Sequence, residues 1–187
     1  MDSIRLLVIA LAVFSLPIGR SFAATDQEKE AARNATRDQL REVLDGFAKR
    51  SGTGVEFKQL EGRPYNFAGV MKANLKYADT LEIVVGVTND ATIGFRVYPH
   101  VNGAYINISK AKDSAGLMRR LLRFGGTNFL FWAVDDTDDV FSGYTVTLES
   151  GFPKEAIWVI LGSIHNTDGF VEQLLPFLDG TKPPEST

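Results

Sequence analysis

The chain has 187 residues, no cysteine, 44% hydrophobic residues and a formal charge of -3. That length carries one domain with its own core, and the composition excludes a disordered chain. The charge gives no basic excess for nucleic acid, and without cysteine there are no disulfides, thiolate catalysis or cysteine-based zinc sites.

The first residues, MDSIRLLVIALAVFSLPIGRSFAA, combine Arg5, an apolar run from Leu6 to Ile18 and small residues at Ser21 and Ala23. This pattern predicts a secretory signal peptide over 1–23, and hence a periplasmic or secreted protein. The run is too short for a membrane-spanning helix, and an uncleaved amino-terminal anchor is the alternative reading.

Residues 24–52 are polar and then amphipathic. Leu40, Val43, Leu44 and Phe47 mark one face of a helix that ends at Ser51-Gly52. The stripe before Leu40 is thin, so the first turns are expected to be loose or solvated.

From Val55 to Lys110 the period becomes two, as in Leu81, Ile83, Val85 and Val87. Asn102-Gly103 lies between two such runs and predicts a two-residue hairpin. Its register pairs Val101 with Ala104, and so on to Arg96 with Ser109, with apolar residues on one face and polar residues on the other. Pro99 supplies no ladder donor and predicts a bulge or an unpaired side.

A helix over Asp113–Phe124 follows, closed by Gly125-Gly126, with Leu117, Met118, Leu121 and Leu122 as its stripe. Strands are predicted at Asn128–Val134 and Val140–Leu148, joined by the acidic DDTDD turn. The first is apolar on both faces and so expected to be central or covered on both sides. Pro153 opens a carboxy-terminal helical stretch, interrupted at Thr167-Asp168-Gly169 and readable as one bent helix or two. Residues 180–187, with two prolines, read as a disordered tail.

The order is helix, strands, helix, two strands, helix. It predicts an α+β fold of two layers, an antiparallel sheet covered by helices on its apolar face. With VNGAYINIS, LMRRLLRF, TNFLFWAVDD, GYTVTLESG and VEQLLPFL in this order, residues 81–179 resemble the YbjN family, whose fold is that of type III secretion chaperones. The resemblance places a YbjN-like domain over 53–179. It implies a domain that often dimerises and binds other proteins, with no catalytic residues to carry over. The polar first helix and the signal peptide depart from cytoplasmic chaperones.

Candidate sites follow from the pattern. The polar face of the hairpin carries Arg96, Tyr98, His100, Tyr105 and Asn107, a composition found in protein-binding surfaces and also on solvated strands. Leu117, Met118 and Leu121 are candidates for a dimer interface. The DDTDD loop lacks the glycine and distal glutamate of a calcium loop and reads as a turn. His100 and His165 sit in no metal-ligand spacing, and no G-x-S-x-G elbow exists. Arg119, Arg120, Arg123, Lys110 and Lys112 form a basic cluster readable as a solvated helix face or as a contact for anions. Asn34 and Asn107 head glycosylation patterns that matter only in a eukaryotic secretory route.

The sequence therefore predicts a non-enzymatic exported protein that binds a protein partner or a second copy of itself, with no cofactor, metal or nucleic acid and no stable membrane insertion after cleavage. The alternative is a small-ligand or lipid binder with an apolar pocket lined by Phe129, Phe131, Trp132 and Trp158. A hydrolase using Asp136 and Asp138 is a third, weaker reading.

Overall fold

A computed structural model describes residues 25–50, 52–127 and 130–180. The predicted signal peptide, Phe129 and the tail beyond Gly180 lie outside them. Helix α1 spans Asp26–Arg50. It opens on a reciprocal cap: the Glu28 N–H donates to Thr25 Oγ1 at 3.3 Å, and the Thr25 N–H donates to the Glu28 carboxylate at 2.7 Å. Strands β1 (Lys58–Leu60), β2 (Arg63–Met71), β3 (Thr80–Val87), β4 (Thr92–Val101) and β5 (Ala104–Tyr105) follow. Then come α2 (Ser114–Thr127), β6 (Phe131–Val134), β7 (Val140–Thr147), α3 (Lys154–Ser163), α4 (Thr167–Glu172) and α5 (Leu175–Asp179).

The sheet is antiparallel, in the order β1-β2-β3-β4-β7-β6, with β5 paired to β4. Alternation decides which side chains meet the helices. Phe67, Ile83, Val85, Ile93, Phe95 and Val97 point to the side where α1 contributes Leu40 and Leu44, α2 contributes Leu117, and the last helices contribute Ile157, Leu161 and Val171. The result is α+β, a sheet roofed by helices on one face, the layout that the secretion-chaperone resemblance implied.

Several elements differ from the expectation. The Asn-Gly hairpin forms, with Asn102 and Gly103 at φ 54° and 76° as a tight primed turn requires. Only Val101–Ala104 and His100–Tyr105 pair, and Ile106 adds one bond to the Pro99 carbonyl at 3.3 Å. Pro99 has no N–H to return, so the Ile106 carbonyl accepts from the Val140 N–H instead, at 2.8 Å. The chain then turns away through a 3-10 turn at Ile108–Lys110, and β7 takes the edge of β4 with Val97 opposite Ser142.

Helix α2 runs through Gly125 and Gly126 rather than stopping at them. Strand β6 ends the sheet instead of lying centrally, and Phe131 is 43% exposed. Its two apolar faces are used differently. Trp132 packs with Phe124 and Phe170 under the helices, while Phe131 lies over Gly143, where any added Cβ would come within 2.3 Å of the ring. The carboxy-terminal helix is neither one bent helix nor two. A 3-10 turn at Ile164–Asn166 divides α3 from α4, and Gln173–Leu174 divides α4 from α5.

Candidate functional site

Among the described residues, no helix covers the face of the sheet away from the core. Residues paired across antiparallel strands share a face. The registers therefore set Ala68, Val84, Arg96, Gly143 and Phe131 in one row across five strands. The next row holds Val70, Glu82 and Tyr98, with the Phe141 ring 5.3 Å from Tyr98. On the other side of Arg96, the row of Asn66, Gly86, Gly94 and Thr145 has two positions without side chains. A Cβ at Gly94 would meet nothing within 4 Å. At Gly86 the Asn66 amide fills the space, 2.7 Å from where a Cβ would stand, while the open position at Gly94 lies in a groove of about 960 Å³ that reaches from Arg33 and Arg63 at one end to Tyr105, Asp135 and Asp139 at the other.

The five hairpin residues divide by environment. Tyr98 and Tyr105 lie on this same face with ring centroids 5.8 Å apart, edge to face. Tyr98, expected on a wet surface, is 9% exposed because Phe141 and Tyr105 cover it, while Tyr105 remains 39% exposed. Arg96 is exposed, with its guanidinium 4.7 Å from the Phe141 ring centroid. The His100 ring meets the Tyr105 ring edge to face, with centroids 4.2 Å apart, and stands 3.7 Å from the Glu82 carboxylate. Asn107 departs furthest from its expected place on that face. It is buried, and its amide donates to the Thr137 carbonyl and the Asp139 carboxylate, both at 2.8 Å. It ties the acidic loop to the chain after β5.

The acidic loop is locally ordered. One Asp135 oxygen accepts from the Thr137 N–H, the Thr137 hydroxyl and the Asp139 N–H at 2.8 to 3.1 Å. Burial presses the Asp135 pKa upward, but these bonds and the Tyr98 hydroxyl outweigh it and hold the carboxyl below its usual range. The Tyr105 hydroxyl donates to Glu82 at 2.6 Å. That bond, then partial burial and nearby negative charge, push its pKa up to about 12, so it stays a donor at neutral pH. Among the described residues, no group of three or more histidine, aspartate or glutamate side chains is placed to hold a metal. His165 sits elsewhere, its Nδ1 2.8 Å from the Gly162 carbonyl.

Two of the three candidate dimer residues are corrected by burial. Leu117 is 0% and Leu121 6% exposed, because both belong to this chain's own core. Met118, at 46%, and Leu122, at 77%, are the exposed apolar side chains of α2. The pocket expected from Phe131, Trp132 and Trp158 does not assemble, since Trp158 packs against Phe47 and Phe131 lies on the open face. A cavity of about 590 Å³ lies instead between the first half of α1 and the β3–β4 turn. It forms where α1 presents small Ala32 and Ala35 rather than the large residues that follow Leu40.

Glu82 is not singled out by the sequence, which reads Phe131, Asp135 and Asp139 as pocket wall and as turn residues rather than as parts of this face. Glu82 was within reach of the sequence: carrying the hairpin logic one strand back across the Asn89–Ala91 turn sets Glu82 opposite Tyr98. No such signal brings the β6–β7 loop to the same place.

No protein family and no curated protein matches the sequence. Among solved structures, the chain is similar to a chain of the crystal structure of the ExsC-ExsE complex. Identity is 14% over 80% of this chain and 98% of that one, with a TM-score of 0.46.

Proposed function

We propose that this protein is an exported, non-enzymatic binding protein of the YbjN or secretion-chaperone-like type, acting through protein contacts on the open face of its sheet. One observation carries the reading: the helices all cover one face, and the other presents a groove edged by half-exposed Phe131 and Tyr105 beside exposed Arg96. Aromatic and arginine side chains around a concavity are the composition of binding hot spots. Export follows from the leader pattern at residues 1–23.

Affinity capture from the exported fraction tests the reading. The comparison is between the wild type, a Phe131→Asp/Arg96→Glu variant and a Val159→Asp control on the helical side, where Val159 is 71% exposed. A partner held by the wild type and the control should be held about tenfold less by the open-face variant, with its thermal midpoint kept. Equal retention by all three overturns the reading.

Self-association is the finer part of the proposal. Helix α2 meets the last helices through Gly116, against Phe177, and Arg120, bonded to Gln173 at 2.5 Å. Helical spacing puts Met118 and Leu122 on the opposite flank. We assign the dimer contact to that flank and to β6, whose Phe131-Trp132-Ala133-Val134 carries no charge at the end of the sheet.

The cavity beside α1 supports a second reading, a small amphiphile held between helix and sheet. Its size falls in the range of ligand pockets, and Val87, Ala91, Leu148 and Phe152 supply apolar wall. Native mass spectrometry of protein from its own host is expected to show a retained small molecule on this reading. A bare chain overturns it.

A further inference from the structure

We infer that the groove takes a segment of a partner polypeptide with a basic side chain, seated at the groove's aromatic end among Tyr105, Phe131, Glu82, Asp135 and Asp139. The inference rests on the reading of the open face as a binding surface and adds the chemistry of what it holds.

Three carboxylates reach this end of the groove from two elements distant in sequence: Glu82 from β3, and Asp135 and Asp139 from the β6–β7 loop. Their hydrogen-bonding needs are met by neutral donors. Tyr105 serves Glu82; the Thr137 hydroxyl and two backbone N–H groups serve Asp135; Asn107 serves Asp139. Such donors fill lone pairs without cancelling charge. Among the described residues, His100 is the one cation-forming group within ion-pairing distance of any of the three, at 3.7 Å from Glu82. Beside them stand the partly exposed rings of Tyr105 and Phe131, whose faces attract a cation further. Charge complementarity thus selects a lysine or arginine.

Arg96 fixes what comes next. It precedes Tyr98 by two residues on β4, so its backbone lies about 7 Å further along the groove, in the row of Phe131, while its guanidinium reaches to 3.5 Å of the Tyr98 hydroxyl. Among the described residues, it has no carboxylate within ion-pairing distance. An extended segment running along the strands repeats at the same spacing. Its basic residue at the aromatic end would therefore stand two residues from an acidic one over Arg96, before or after it according to the direction in which the segment runs.

The test uses two fluorescein-labelled octapeptides of equal composition, one with Glu-Ala-Arg-Ala-Glu at its centre, which offers the two-residue spacing in either direction, and one with Arg-Ala-Ala-Glu-Glu, which offers it in neither, titrated against the purified protein by fluorescence anisotropy. The first should bind about tenfold more tightly at low salt, and the preference should collapse at high salt. Glu82→Gln/Asp135→Asn should remove the preference, and Glu155→Gln on α3 should leave it. Should the double variant unfold, Glu82→Gln alone carries the comparison, since it leaves the loop intact. Equal binding of the two peptides, or preference for the second, overturns the inference while the open face stands as a binding surface. Binding of neither also overturns it, and the capture experiment then decides the open-face reading on its own. If Glu82→Gln instead abolishes self-association, a second copy occupies the groove and the partner segment is excluded.

Discussion

Asp168 interrupts the apolar stripe of the last helices, and it does so with both of its carboxylate oxygens in use. Buried at 7% exposure, its carboxylate accepts from the backbone N–H groups of Lys76, Tyr77 and Ala78 at 2.7, 3.0 and 2.7 Å. These are donors of the β2–β3 connection, which has no ladder of its own there. A buried backbone donor without a partner costs about 1–3 kcal/mol. Asp168→Ala is therefore expected to destabilise the fold by about 3 kcal/mol in urea denaturation, and Asp168→Asn by less, since its amide oxygen still accepts. A loss below about 1 kcal/mol for the alanine variant would show that the loop finds other partners. The sequence marks Asp168 as an anomaly in a heptad stripe, but its partners lie some ninety residues away, and no local rule names them. The same holds for Asn107, whose place in a period-two run suggested an outward side chain. Its actual role depends on where the β6–β7 loop arrives.

At the scale of elements, a helix's pattern reveals that it has an apolar side, not how many neighbours share it. The stripe of α2 reads as Leu117, Met118, Leu121 and Leu122, and the structure splits it. Leu117, Leu121 and Phe124 enter the core, while Met118 and Leu122 are left outside. Two predictions separate these roles. Leu117→Asp should unfold the protein, because a carboxylate would enter a fully buried site. Met118→Glu/Leu122→Glu should keep the fold and shift the sedimenting species from dimer to monomer. A wild type that sediments as a monomer at every concentration removes the dimer contact.

Helix α1 divides in a similar way, at Leu40. Its second half packs through large apolar residues, and its first half is held by polar contacts. The Arg33 guanidinium donates to the Val87 carbonyl at 3.2 and 2.8 Å and lies 3.6 Å from the Tyr65 ring centroid, while the Tyr65 hydroxyl donates to Glu30. The thin stripe suggested loose first turns, whereas the structure docks them through one arginine and leaves the cavity beneath.

Over the whole molecule, the division of the sheet into a roofed and an open face makes every functional reading possible. The α+β class, the antiparallel pairing, the tight Asn-Gly turn and the residues of β3 and β4 that share a face are legible in the sequence alone. They are so because alternation, helical spacing and turn chemistry act between residues close along the chain. Long-range packing sets that β5 is short and β7 takes the rest of β4, that β6 is an edge, and that Glu82, Arg96, Tyr105, Phe131 and Asp135 border one groove. Those outcomes follow from which distant strands meet and which acceptors they leave unmet, the Ile106 carbonyl that Pro99 cannot serve among them, and long-range pairing leaves no periodic mark in the sequence.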